Sequence, residues 1–116
     1  MSFKAIPTLR VPYVFAACAF YEEILQFKKE WTWGEPPQHA CVSLGDIEIH
    51  FSKGEARPSA GFWVYILIDN VEMIYDCCER HDLLIESYLE NKPWGMREFS
   101  VLDLNGYKLI FGSSTE

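Results

Sequence analysis

One order of elements runs through this chain twice, and that repetition leaves few folds open to it. Ile6 to Val11 is a short β-branched run punctuated by Pro7, suited to an edge strand or a strand start. From Val14 to Phe27 the apolar residues Val14, Ala17, Cys18, Tyr21, Ile24 and Leu25 recur at spacings of three and four, which predicts a helix with one buried face. Lys28 to Trp33 is extended, and Gly34-Glu35-Pro36-Pro37 turns the chain. His39 to Leu44 and Ile47 to Ser52 are two strands joined by the tight turn Gly45-Asp46. Lys53 to Gly61 is a polar linker, after which the order restarts. Phe62 to Ile68 is a strand, and Asn70 to His81 carries Val71, Ile74, Tyr75 and Cys78 at helical spacing. Leu84 to Tyr88 is extended and Lys92-Pro93-Trp94-Gly95 is a loop. Arg97 to Leu102 and Tyr107 to Phe111 are strands joined through Asn105-Gly106.

Val11 and Ile68 are 57 residues apart and His50 and Ile110 are 60 apart, each near half of 116. Strand, helix, three strands, repeated, predicts an α+β fold: two βαβββ modules forming a curved mixed sheet with helices on its convex side. The length suits a single domain, 1–116, with halves of about 1–57 and 58–116. The concave side is then left for a ligand or a second subunit.

Alternation sorts each strand into a helix-facing set and a concave set. Ile47, Ile49 and Phe51 face the helix and leave Glu48, His50 and Ser52; Ala40, Val42 and Leu44 leave His39, Cys41 and Ser43. Val64, Ile66 and Ile68 leave Trp63, Tyr65 and Leu67. Phe99 and Val101 leave Glu98 and Ser100, and Leu109 and Phe111 leave Lys108 and Ile110. Aromatics are 16% of the chain, with four Trp, more than a core of this size needs. Large aromatics on an otherwise polar face point to a contact that covers them, and a polar face with aromatic platforms suits a small-molecule cleft. Trp31, Trp33 and Trp94 lie near turns, beside that face.

Ten Lys plus Arg against seventeen Asp plus Glu give a net charge of −7, which argues against nucleic acid and anionic lipid as partners and for a cationic ligand. No apolar stretch is long enough to cross a membrane, and no basic segment followed by an apolar one opens the chain. Cys18, Cys41, Cys77 and Cys78 match no zinc spacing and read as reduced thiols of a cytoplasmic protein.

The paired layout, with Ile6-Pro7-Thr8-Leu9, Phe20 to Phe27, Gly45 to His50, Arg97 to Asp103 and Asn105-Gly106, resembles the vicinal oxygen chelate superfamily, and within it the bleomycin resistance proteins. The chain departs from that pattern at Tyr13, where the family often has Asp, and at Leu104, where it usually has Pro. In enzymes of the superfamily four inward strand positions ligate a divalent cation. The resemblance puts those positions at Ile6, His50, Trp63 (or its neighbour Val64) and Ile110, of which only His50 is a ligand. It therefore implies no catalytic residue, no metal and no cofactor. The implied function is that of a metal-free homodimer that sequesters a cationic aromatic compound, such as a bleomycin-type antibiotic, in a cleft between subunits. Trp31, Trp33, Trp63, Tyr65 and Trp94 are the expected stacking surfaces and Glu48, His50 and Glu98 the polar contacts. Two alternatives stay open. One is a metal-dependent glyoxalase- or dioxygenase-type enzyme in which His50 and Glu48 recruit a metal with His39 or a partner subunit. The other is a protein-interaction domain with no small ligand.

Overall fold

The repetition of element order is a repetition of topology. The computed structural model describes residues 2–116. Its first module runs β1 (Thr8–Val11), α1 (Val14–Glu23), β2 (Lys28–Trp33), β3 (His39–Leu44) and β4 (Ile47–Lys53). The second runs β5 (Trp63–Leu67), α2 (Val71–Arg80), β6 (Ile85–Asn91), β7 (Met96–Leu102) and β8 (Lys108–Ser114). Each module makes its own four-stranded mixed sheet, ordered β1-β4-β3-β2 and β5-β8-β7-β6. In both, the first strand pairs parallel with the last and the other pairings are antiparallel. The internal contacts divide the chain into two compact units, Met1–Arg57 and Pro58–Glu116.

In the first unit α1 packs on β2, β3 and β4. Val14, Ala17, Cys18 and Tyr21 are buried, the spacing of three and four read from the sequence. Tyr21 is fully enclosed, edge-on to Phe27 at 5.3 Å and to Phe51 of β4 at 5.0 Å. That aromatic cluster welds helix to sheet, and truncating Phe51 to Ala removes about 3 to 5 kcal/mol. In the second unit α2 buries Val71, Ile74, Cys77 and Cys78 against β6, β7 and β8. Tyr75 meets Phe99 edge-on at 5.0 Å, and Phe99 stacks on Phe111 at 5.5 Å.

Several boundaries differ from the sequence reading. The first strand starts at Thr8, not Ile6, because Pro7 brings no amide hydrogen to the ladder. The first helix ends at Glu23, not Phe27: Gln26 turns left-handed (φ 67) and the Phe27 amide reaches back to the Tyr21 carbonyl at 3.0 Å, which closes the last turn. The strand expected at Leu84 to Tyr88 runs Ile85–Asn91, and the last strand, expected at Tyr107 to Phe111, runs Lys108–Ser114. The Asn105-Gly106 turn forms as read. The Asp103 carboxylate accepts the amides of Asn105 and Tyr107 at 2.8 and 3.0 Å, while Gly106 supplies the positive φ of 87. None of the four cysteines is in a disulfide and all are buried, and among the described residues no helix is long and apolar enough to cross a membrane.

Candidate functional site

In the first module the β3–β4 hairpin sets the geometry. Its two-residue turn, with Gly45 at φ 60, pairs Leu44 with Ile47, Ser43 with Glu48 and Cys41 with His50, and β2 then sets Trp31 beside Cys41. Ile49 and Phe51 go to the core while Glu48 and His50 stay half-buried on the other face. The Cys41 thiol donates to Glu48 Oε1 at 3.5 Å, and His50 Nε2 lies 3.9 Å from the same oxygen. The donor atoms of Cys41, Glu48 and His50 all fall within 4.8 Å of one another. Lys4 Nζ donates to the other Glu48 oxygen. That bond, with the one from Cys41, holds the Glu48 carboxyl below the usual carboxylate range and the Lys4 ammonium above its own. Burial, and then the hydrogen bond to Glu48, push the Cys41 thiol up to about 11.

The Trp31 ring stands edge-on to His50 at 5.2 Å, and Trp33 tilts against His39 at 5.9 Å. His39, the helper expected for a metal at His50, is not among the donors that gather there, which among the described residues are Cys41, Glu48 and His50. Beside the trio is a cleft of about 520 Å³ walled by Lys4, Glu30, Trp31, Cys41, Ser43 and Glu48.

In the second module β5 turns Trp63 and Tyr65 to the same face, 48% and 41% exposed. Lys108 Nζ lies over the Trp63 ring at 5.5 Å from its centroid, a cation–π contact within the chain. The Tyr65 hydroxyl donates to Glu98 Oε2. Burial, and then that hydrogen bond, push the Tyr65 hydroxyl up to about 12. The ring reaches Glu98 across Gly112, where a Cβ would stand 2.7 Å from the Tyr65 oxygen. Glu98 and Ser100, read from the sequence as an open polar face, are 7% and 4% exposed, so that reading is corrected: the tyrosine covers the carboxylate. Trp94 stays exposed in its loop and shares a pocket of about 150 Å³ with Lys92, Glu98, Ser100, Lys108 and Ile110.

The expected site residues therefore fall into two groups: Trp31, Glu48 and His50, with Trp33 further along β2, in the first module; and Trp63, Tyr65, Trp94 and Glu98 in the second. Cys41, Lys4 and Lys108 were not expected as members. Cys41 was legible, since a two-residue turn at Gly45-Asp46 fixes its register against His50; nothing in the sequence pointed to Lys4. Of the positions at which the resemblance puts metal ligands, Ile6, Trp63, Val64 and Ile110 offer no donor and His50 alone does, so the residues do not fit the family's four-ligand centre. The acidity is uneven: ten acidic against four basic residues in 58–116, seven against six in 1–57.

A family profile described as Glyoxalase/Bleomycin resistance protein/Dioxygenase superfamily matches residues 5–111. A comparison with curated proteins finds no match. Among solved structures, TioX from Micromonospora sp. ML1 superposes with a TM-score of 0.83 at 18% identity, covering 97% of this chain and 99% of that one. A bleomycin resistance determinant encoded on the transposon Tn5 gives 0.77 at 18% identity, over 99% and 100% of the two chains. The bleomycin-binding protein from bleomycin-producing Streptomyces verticillus, complexed with copper(II)-bleomycin, gives 0.75 at 24% identity, over 100% and 98%. At these identities the likeness is one of fold.

Proposed function

This chain belongs to the glyoxalase/bleomycin resistance protein/dioxygenase superfamily, and from that premise we propose that it is a small-molecule binding protein that sequesters a cationic aromatic compound, of the bleomycin type, in a cleft of a homodimer. The observation that carries the reading is the face of the second sheet. Trp63, Tyr65 and Trp94 stand exposed, Tyr65 covering the carboxylate of Glu98 and Trp94 sharing a pocket with that residue, and the ring of Trp63 already holds a cation, Lys108. An exposed aromatic face that accepts an ammonium from its own chain has the chemistry to accept one from a ligand, at about 0.5 to 2 kcal/mol per contact. Trp31 and Trp33 add stacking surface in the first module, with Glu48 and His50 as polar contacts. Two similar folds belong to a bleomycin resistance determinant and a bleomycin-binding protein, which supports the choice of ligand class. The chain works, on this reading, as one domain of two modules in the cytoplasm, and needs no metal.

Isothermal titration of reduced, chelator-treated protein with bleomycin, phleomycin and other cationic aromatic compounds tests the proposal. Saturable binding is expected, weakened about 2- to 30-fold by Trp63→Ala, the cost of one cation–π contact. No heat with any of them at high micromolar concentration overturns it. Sedimentation of the same variant separates a protein-interaction domain, in which Trp63→Ala weakens self-association instead of ligand affinity.

A further inference from the structure

We propose that Cys41, Glu48 and His50 form a three-donor site for one thiophilic divalent cation of the zinc class, with a fourth coordination position open to the cleft beside Trp31. The inference goes beyond the binding reading, which needs no metal, and its ligand set shares only His50 with the positions at which the family resemblance puts a cation.

The spacing of the donors carries it. A tetrahedral ion with bonds of about 2.0 to 2.3 Å separates its ligand atoms by about 3.3 to 3.8 Å. Here Cys41 Sγ and Glu48 Oε1 are 3.5 Å apart, and His50 Nε2 and Glu48 Oε1 are 3.9 Å apart. The site comes from two strands whose register is fixed by a two-residue turn, so its backbone is already in place. The donor types are those of zinc sites, a thiolate, an imidazole and a carboxylate; a hard cation such as magnesium or calcium gains nothing from the sulfur.

The arrangement is not a by-product of the fold. In the second module the strand positions matching His50, Cys41 and Glu48 by register are Ile110, Ser100 and Lys108, which replace two of the donors with an aliphatic chain and an ammonium. Within the first module Lys4 pairs with Glu48 from the exposed N-terminal segment, its side chain 61% accessible. On binding, the cation takes Glu48 Oε1 and replaces the proton on the Cys41 sulfur, which leaves to solvent, while the Lys4 ammonium on Oε2 repels it and competes for the carboxylate charge.

The test uses reduced, metal-stripped protein titrated with Co²⁺, a coloured stand-in for Zn²⁺. One equivalent should produce the intense visible absorption of a four-coordinate ion and a sulfur-to-cobalt charge-transfer band, both erased by Zn²⁺. Trp31 fluorescence should fall in step, and in Trp31→Phe that quench should vanish while the absorption stays. Cys41→Ser should remove the charge-transfer band. Glu48→Gln and His50→Ala should each weaken binding by at least the about 10- to 100-fold that loss of a mere outer-shell partner costs. Lys4→Gln should tighten binding several-fold, a gain that no loss of folding produces. The proposal fails if no absorption saturates, if Cys41→Ser keeps the sulfur band, or if Lys4→Gln binds no tighter. Because no organic ligand is present, these outcomes are independent of the drug titration, and either proposal can fail alone.

Discussion

At Gly112 the second sheet omits a side chain so that another can cross it. An added Cβ would sit 2.7 Å from the Tyr65 hydroxyl oxygen and 3.3 Å from Glu98 Cβ and Met96 Cε. The closest of these is the tip of a side chain, so it yields by lifting off Glu98, and a buried carboxylate loses a donor at about 1 to 3 kcal/mol. Gly112→Ala and Tyr65→Phe should each cost about that much. The double variant should cost clearly less than their sum in urea melts, because the second change removes what the first one hits; full additivity would show the two sites to be uncoupled. The same hydroxyl carries a pH signature. Its folded value of about 12 lies above the ordinary 10.0, so the protonated form is favoured in the fold. The stability it contributes is complete below pH 10 and is lost as pH rises from there towards 12. The stability gap between wild type and Tyr65→Phe should narrow across that window and be constant below it. The Tyr65–Glu98 contact joins residues 33 apart, and no local pattern announces it; alternation placed both on one face and went no further.

The two helices differ at their first residue. Asn70 caps α2 by accepting the Met73 amide at 3.3 Å, whereas Tyr13 begins α1 with an extended backbone (φ −132, ψ 101) and no side-chain cap. Tyr13 is 73% exposed, so little packing is at stake there. Tyr13→Asp should therefore raise the stability of the chain by about 1 kcal/mol and Asn70→Ala lower it by a similar amount, read from denaturant midpoints at constant slope. A neutral or harmful Tyr13→Asp would mean that the tyrosine holds the helix start by packing. Helix starts and faces were legible because caps and buried spacing are local. The end of α1 was not, since the left-handed residue that stops it is Gln26, where a glycine would have marked the stop. α2 likewise ends into Asp82 at φ 54, but there the polar run His81-Asp82 shows where the apolar spacing stops.

Over the chain as a whole, the repeat of element order was enough to give two βαβββ modules with mixed pairing, because a βαβββ unit with short turns has few ways to pair its strands, but the strand order within each sheet came only with the structure. The binding chemistry was legible only as face and composition, and net charge adds a term that belongs to no single residue. The charge of −7 comes almost wholly from residues 58–116, the half that carries Trp63, Tyr65 and Trp94. Long-range attraction of a cation and short-range stacking should then separate in kinetics. Raising salt from 0.01 M to 1 M shrinks the screening length from about 30 Å to about 3 Å. The association rate of a cationic aromatic ligand, followed by Trp fluorescence in stopped flow, should fall about tenfold or more. Its dissociation rate, set by ring contacts, should change little. Replacing the exposed acids Asp76 and Glu79 of α2 by Asn and Gln should reproduce part of that loss at low salt while leaving dissociation alone. A neutral aromatic of similar size should associate at a salt-independent rate; if it follows the same curve as the cation, charge does not guide the encounter, and the aromatic faces alone select the ligand.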